Sequence, residues 1–211
     1  MRDSLVRIGG IVLCGGQSSR MGQPKAWLPI GDEVLLQRVV RVLREVVEPL
    51  VVVAAPGQDV PALPVGVEIV RDPVEGRGPL QGLATGLTAL SGKVDAVYLS
   101  SCDAPFLHAA FVRRMVSLLK EDGSIAVPHI GDYHHPLAGI YRVSVLDAVN
   151  ALLAANRMRP VFLFDAVPTR IVLAPELIDI DPTFESLRNI NTPEEYEIAL
   201  RDYAARSYNH S

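Results

Sequence analysis

A three-layer α/β/α domain built on a mostly parallel sheet is the architecture this sequence predicts, and three observations predict it. Short apolar runs alternate along the chain with amphipathic stretches, which is the pattern of βαβ units. Those runs are apolar nearly throughout rather than at every second residue, as strands covered on both faces are. No repeat or low-complexity linker interrupts the 211 residues, so a single domain over residues 1–211 is expected.

The first strand is predicted over residues 7–14 and empties into a glycine-rich stretch. Asp32 stands where it can cap a helix running to Val47. Leu36, Val39, Val40 and Leu43 make its apolar face, and Gln37, Arg41, Arg44 and Glu45 its polar one. Strands follow at residues 49–54 and 67–71. Pro79 opens a helix in which Leu80, Leu83, Leu87 and Leu90 share a face. A strand at residues 96–100 precedes a helix marked by Leu107, Phe111, Met115 and Leu118, and a fifth strand covers residues 124–128. Residues 131–142 break the rhythm. Gly131-Asp132 reads as a turn and residues 135–141 as a strand, so a hairpin-like insertion pairing antiparallel at the sheet edge is expected. Helices are expected at residues 144–155 and 161–166. The last helix has the clearest start: Thr192, Pro193 and Glu195 form a Thr-x-x-Glu capping box with proline at the first helical position. Its buried face is predicted to be Tyr196, Ala199, Leu200 and Tyr203.

Composition narrows the class of function. With 49% hydrophobic and 21% charged residues and a net charge of −4, nothing is globally basic, which argues against a nucleic-acid partner. The two cysteines, Cys14 and Cys102, offer neither a disulfide framework nor a zinc spacing, and both lie in apolar runs, as suits a reducing compartment. The first ten residues, MRDSLVRIGG, lack a secretory apolar region, and no apolar run approaches the ~18 residues a membrane span needs. A soluble cytoplasmic protein without membrane contact is the expectation.

The chemistry concentrates in four places. After the first strand comes Leu13-Cys14-Gly15-Gly16-Gln17-Ser18-Ser19-Arg20-Met21-Gly22-Gln23-Pro24-Lys25. A strand that opens into a glycine loop is where an open α/β sheet binds ligands. Gly15 and Gly16 let backbone N–H groups approach phosphate oxygens, Ser18 and Ser19 add hydroxyls, and Arg20 and Lys25 add charge. The spacing is neither a Walker A loop nor a dinucleotide Gly-x-Gly-x-x-Gly. Asp103 ends the strand at residues 96–100, where a carboxylate can hold a hard cation that bridges phosphates; it could equally cap the next helix. Asp72 also ends a strand, and its plainer role is a turn residue before Pro73. Gly78-Pro79 and the pair Asn189 and Asn191 flank helix starts, where turn and cap chemistry is the ordinary use. His134 and His135 are adjacent, so on a strand they point to opposite faces and cannot share one metal: one belongs to the surface and one to the acceptor side. Neither cysteine has a base near it in sequence, so neither is read as a nucleophile.

Taken in order, these motifs resemble the molybdenum cofactor guanylyltransferase family (molybdopterin-guanine dinucleotide biosynthesis protein A) of the nucleotidyltransferase superfamily. That superfamily also holds molybdopterin cytidylyltransferases and sugar-phosphate nucleotidyltransferases. The carriers are the Gly-Gly…Arg-Met-Gly…Lys loop, Asp72-Pro73 followed by Gly78-Pro79-Leu80-Gln81-Gly82, Cys102-Asp103-Ala104-Pro105-Phe106, and Asn189-Ile190-Asn191-Thr192-Pro193-Glu194-Glu195. The resemblance implies a Rossmann-like fold of the nucleotide-diphospho-sugar transferase type. It implies transfer of GMP from GTP to molybdenum-bearing molybdopterin with Mg²⁺ as cofactor, and transient contact with molybdoenzyme apo-proteins. Leu13, Cys14, Gly15, Gly16, Arg20, Lys25, Asp72, Gly78, Asp103, Asn189 and Asn191 would bind the substrates, with Arg20, Lys25 and Asp103 catalytic and Asp103 on the metal. Two features depart from the guanine branch. Pro24 precedes the lysine where aspartate is frequent, and the strand ending Val53-Ala54-Ala55-Pro56 lacks an asparagine that some guanylyltransferases carry. Cytidylyl transfer to molybdopterin, nucleotidyl transfer to a sugar phosphate, and a non-enzymatic nucleotide-binding regulator or pterin carrier are the alternatives.

Overall fold

The computed structural model describes residues 6–15, 21–74 and 76–208. The first apolar run forms β1 (Ile8–Leu13). The chain next makes a small antiparallel hairpin of β2 (Pro29–Ile30) and β3 (Glu33–Val34), then α1 (Leu35–Arg44). β4 (Leu50–Ala54), β5 (Val67–Arg71), α2 (Gly78–Leu90), β6 (Ala96–Ser101) and α3 (Ala109–Leu118) follow. β7 (Ile125–Ile130) turns into β8 (Tyr133–His134), and β9 (Ile140–Arg142), α4 (Leu146–Ala154), α5 (Val161–Phe164), β10 (Thr169–Leu173) and α6 (Pro193–Tyr208) complete the order.

Among the described residues the main sheet runs β10-β7-β9-β6-β1-β4-β5, with β8 paired to β7. β1 lies parallel between β6 and β4, β5 is parallel to β4, and β10 is parallel to β7; β9 alone in that row runs antiparallel, to β6 on one side and β7 on the other. Because side chains alternate across a strand, each strand feeds two cores. Ile11, Leu13, Val51, Val53, Val97 and Leu99 pack with α2, α4 and α5. Val12, Val52, Tyr98 and Ala126 pack on the other side with α1 and α3. That is the three-layer architecture expected, with helices on both faces of a mostly parallel sheet. A third, smaller core gathers Leu28, Ile30, Leu35, Phe106, Ile190 and Ala199, and joins α6 to the segment around β2.

Five local expectations change. The strand expected at the sheet edge is β9, and it lies inside the sheet between β6 and β7, with Ile140 and Tyr141 fully buried. The stretch before it is not one strand: Pro136 has no N–H to donate, and Pro136–Ala138 forms a 3₁₀ turn that separates β8 from β9. Asp32 does not cap α1. It sits exposed in the β2–β3 turn beside Gly31, whose φ is +61°, and the side-chain oxygen Oε1 of Gln37 accepts the Val34 N–H at 3.3 Å instead. β5 is an edge strand rather than one covered on both faces, with Ile69 40% exposed. β10 had no strong signal, because an edge strand half open to water alternates rather than running apolar; Leu200 of α6 likewise faces outward while Ala199 is buried. No described helix is long and apolar enough to cross a membrane.

Candidate functional site

The carboxyl ends of β1, β4 and β6 lie side by side because the three strands are parallel neighbours in register, Leu13 pairing with Ser101 on one side and Val53 on the other. A cleft of about 500 Å³ opens there. Leu13, Cys14 and Gly15 reach it from β1, Cys102 and Asp103 from β6, and Asp72 from the end of β5; Gly78 comes from the start of α2, and Asn189 and Asn191 from the approach to α6. Lys25 completes the wall. Nine of the eleven residues expected to bind the substrates, scattered over nearly 180 positions, thus converge on one cavity. Gly16 and Arg20, and with them Gln17, Ser18 and Ser19, lie outside the described residues.

Local packing positions each polar group. Lys25 begins a 3₁₀ turn, Lys25–Trp27, that follows the extended Pro24. Ala26 and Leu28 are buried on either side of Trp27, whose Nε1 donates to the Asp59 carbonyl at 3.2 Å. The turn is therefore held at two points, and the lysine projects into the cleft. Its Nζ donates to Asp103 Oδ2 at 2.6 Å and to Asn191 Oδ1 at 3.0 Å. Asp103 is 9% exposed, and its other oxygen accepts the Ser101 hydroxyl at 2.5 Å. The Asp103 carbonyl accepts the Ile190 N–H at 2.9 Å, which ties the aspartate to the Asn189–Asn191 segment. The capping box is formed as read: Glu195 N–H donates to Thr192 Oγ1 at 3.2 Å, and Glu195 Oε2 accepts the N–H groups of Asn191 at 2.6 Å and Thr192 at 3.3 Å. Glu195 thereby fixes the backbone from which Asn191 reaches Lys25.

Asp72 accepts the Thr85 hydroxyl at 2.6 Å. Burial raises its pKa above the ordinary carboxylate range, and that hydrogen bond opposes the rise. The cysteines are inert by their surroundings. Burial pushes the Cys14 thiol up to about 12, with the Arg71 charge opposing and Asp72 reinforcing the rise. Burial raises Cys102 as well, helped by the negative charge of Asp103. A thiol held protonated in this way is a poor nucleophile at neutral pH.

Several contributors carried no usable sequence signal. Gln58, in the loop after β4, donates through Nε2 to the Cys14 carbonyl at 2.9 Å and accepts the Ala55 N–H at 2.9 Å. Arg71 Nη1 donates to the carbonyls of Ala55 at 3.2 Å and Gln58 at 2.6 Å. Arg77 lines the cleft and donates to the Leu153 carbonyl at 2.8 Å. Ser101 stands just ahead of the motif that begins at Cys102, and only the structure aims its hydroxyl at Asp103. His134 stacks on His129 with centroids 4.4 Å apart and meets Phe164 edge-on at 5.4 Å; from the same hairpin, Leu137 lines the cleft.

Comparison with known proteins places this arrangement. Residues 10–167 match the model of the MobA-like NTP transferase domain. A Mycobacterium avium protein described as a probable molybdenum cofactor guanylyltransferase is 36% identical over 91% of this chain and 94% of its own length. The Archaeoglobus fulgidus molybdopterin-guanine dinucleotide biosynthesis protein A superposes with a TM-score of 0.78 over 94% of this chain and 99% of its own, at 19% identity. A Mycobacterium tuberculosis protein solved in complex with manganese superposes with a TM-score of 0.64 over 92% and 98% of the two chains, at 20% identity. At such identities the two superpositions speak for the fold alone.

Proposed function

The chain belongs to the MobA-like NTP transferase family, and from that premise we propose that it is a molybdenum cofactor guanylyltransferase, the whole of residues 1–211 acting as one domain. It transfers GMP from GTP to the terminal phosphate of molybdenum-bearing molybdopterin and releases pyrophosphate. The observation that carries this reading is the meeting of Lys25, Asp103 and Asn191 at the carboxyl ends of β1 and β6, in a chain 36% identical to a protein of that description.

The acceptor phosphate attacks the α-phosphorus in line, a P–O bond forms, and the bond to the pyrophosphate oxygen breaks. Phosphoryl chemistry of this kind needs positioning and charge neutralisation more than a protein nucleophile, in keeping with two cysteines held as thiols. The apolar wall of Leu13, Val53 and Pro79 suits a purine ring. Gly15 lies close to the end of β4: a Cβ there would come 3.1 Å from the Ala55 nitrogen, tighter than ordinary contact. Lys25, together with Arg20 of the same loop, binds the phosphates; Asn189 and Asn191 face the acceptor. Asp72 is proposed to contact the nucleotide, and Gly78-Pro79 to border the base.

The donor set fits a hard divalent cation. Asp103 supplies carboxylate oxygens with the Ser101 hydroxyl beside them, the kind of oxygen donor that a hard divalent cation takes alongside substrate phosphates. Asp103 would hold Mg²⁺, which when bound neutralises phosphate charge. The cytoplasm, where nucleotide and pterin meet, is the proposed location, and delivery to molybdoenzyme apo-proteins the proposed onward contact.

The test pairs binding with turnover. GTP with Mg²⁺ is expected to raise the melting temperature more than CTP, UTP or ATP at equal concentration, because ligand binding stabilises the native state by mass action. Pyrophosphate should appear only when GTP and molybdenum-bearing molybdopterin are supplied together. A larger shift and faster turnover with CTP would move the protein to the cytidylyl branch.

A further inference from the structure

Both oxygens of Asp103 are engaged by groups of this chain. Oδ1 accepts the Ser101 hydroxyl at 2.5 Å and Oδ2 accepts the Lys25 ammonium at 2.6 Å. The lysine side chain is 18% exposed and the aspartate side chain 12%, so the pair attracts more strongly than a surface ion pair does. Asn191 Oδ1, 3.0 Å from the same ammonium, holds it in place, and the capping box in turn holds Asn191. A hard divalent cation on Asp103 needs the same carboxylate lone pairs, and an ammonium one hydrogen-bond length away repels it.

We propose that Lys25 and the divalent cation compete for Asp103, and that the cation's arrival hands the lysine ammonium over to the phosphates of the nucleotide. The inference rests on the metal role given to Asp103 above and deepens it: it sets the order in which the site fills. No covalent bond changes, and the proton stays on Lys25. The ammonium exchanges one anionic partner for another while the metal takes the vacated lone pair. Metal alone therefore binds weakly, since it must displace the ammonium from Asp103. With a triphosphate present, the displaced ammonium gains a new partner. Metal and nucleotide then strengthen each other's binding by the same factor, as thermodynamic linkage requires.

The experiment titrates Mn²⁺ into the full-length protein without nucleotide at neutral pH, reading free Mn²⁺ by electron paramagnetic resonance. Wild type is compared with Lys25→Met, Lys25→Gln and Asp103→Asn, each first checked for a wild-type circular dichroism melt. Two lysine variants guard against one of them misfolding. Both are expected to bind Mn²⁺ about tenfold more tightly than wild type, within the usual range of coupling between sites, although both lose turnover. Asp103→Asn is expected to lose the site. Adding GTP should tighten Mn²⁺ binding in wild type much more than in Lys25→Met. Lysine variants that bind Mn²⁺ no better than wild type, with Asp103→Asn still deficient, would overturn the competition and leave the metal role of Asp103 standing. Wild-type Mn²⁺ affinity in Asp103→Asn would overturn the metal role itself, and the competition with it.

Discussion

At the scale of single residues, two glycines of α2 separate packing from binding. A Cβ on Gly86 would lie 2.6 Å from Ile11 Cδ1 and 2.8 Å from both Cγ atoms of the same isoleucine. Ile11 is β-branched and fully buried in the core between α2 and the sheet, so it cannot turn aside. Gly86→Ala is expected to cost about 1–3 kcal/mol in urea denaturation, the usual range for overpacking, and to leave the KM for GTP unchanged. A Cβ on Gly82 meets Leu13 Cδ2 at 2.8 Å, the far end of a more flexible side chain that lines the cleft. Gly82→Ala should therefore be nearly neutral in stability, because the gain of up to ~1 kcal/mol in helix propensity offsets the push. It should instead raise the KM for GTP by displacing Leu13. Equal loss of stability in both variants would show that Leu13 has no freedom to move. From the sequence, glycines four apart in a helix suggest close packing, and that much was legible. Which of them faces the site depends on which strand residue lies beneath, and periodicity carries no such information.

Between elements, the loop ends of the parallel strands are tied by one side chain. Gln58 joins the Cys14 carbonyl to the Ala55 N–H, and Arg71 draws the Ala55 and Gln58 carbonyls toward β5. Parallel strands place their loops together but leave them free to splay, so such cross-links hold the end of β1, at Cys14, against the loop after β4. Gln58→Met keeps the bulk and removes both hydrogen bonds. At about 1 kcal/mol for each bond, it is expected to raise the KM for GTP by up to about thirtyfold with kcat within roughly twofold. A fall in kcat at unchanged KM would place Gln58 in the chemistry instead. The contrast with α6 shows what sequence can carry at this scale. Its capping box is a contact between residues three apart, so it was read directly and formed as read. Gln58 reaches the Cys14 carbonyl across 44 residues and Arg71 the Ala55 carbonyl across 16, and nothing local announces those two contacts.

On the scale of the whole molecule, α6 closes the site from behind. Its Ala199 is fully buried in the third core with Leu28, Ile30, Leu35 and Phe106, and the Tyr196 hydroxyl donates to the Pro29 carbonyl at 2.5 Å. The guanidinium groups of Arg188 and Arg206 both lie over the Phe106 ring, 4.9 and 4.5 Å from its centroid. The third core thus carries Lys25 on one flank, through Leu28, and Asp103 on the other, through Phe106. Ala199→Asp places a charge there without a partner. Hydrogen exchange is expected to speed up over residues 24–35 and 188–208 while the protection of β1, β4 and β6 holds, and turnover should drop at least tenfold if Lys25 and Asp103 carry the roles proposed for them. Uniform loss of protection across the sheet would instead make the third core part of one global cooperative unit.

The sequence by itself determined the layering, the places of β1, β4, β5, β6 and β7 along the chain, and part of the membership of the cleft. Apolar runs bury on both faces, helical periodicity supplies the covering layers, and strand-end residues of a parallel sheet must share one edge; all three follow from local pattern and chain direction. Tertiary structure alone decided that β9 enters between β6 and β7 rather than adding at the edge. The place of a three-residue strand is set by which backbone groups remain unpaired beside it, and those belong to strands that lie far off in the chain. Tertiary structure alone also brought Lys25 onto Asp103 and Asn191, across 78 and 166 positions. Sequence names a lysine and a carboxylate as partners for phosphate and metal. Only their positions in space, at 2.6 Å and largely withdrawn from water, make each the other's partner as well.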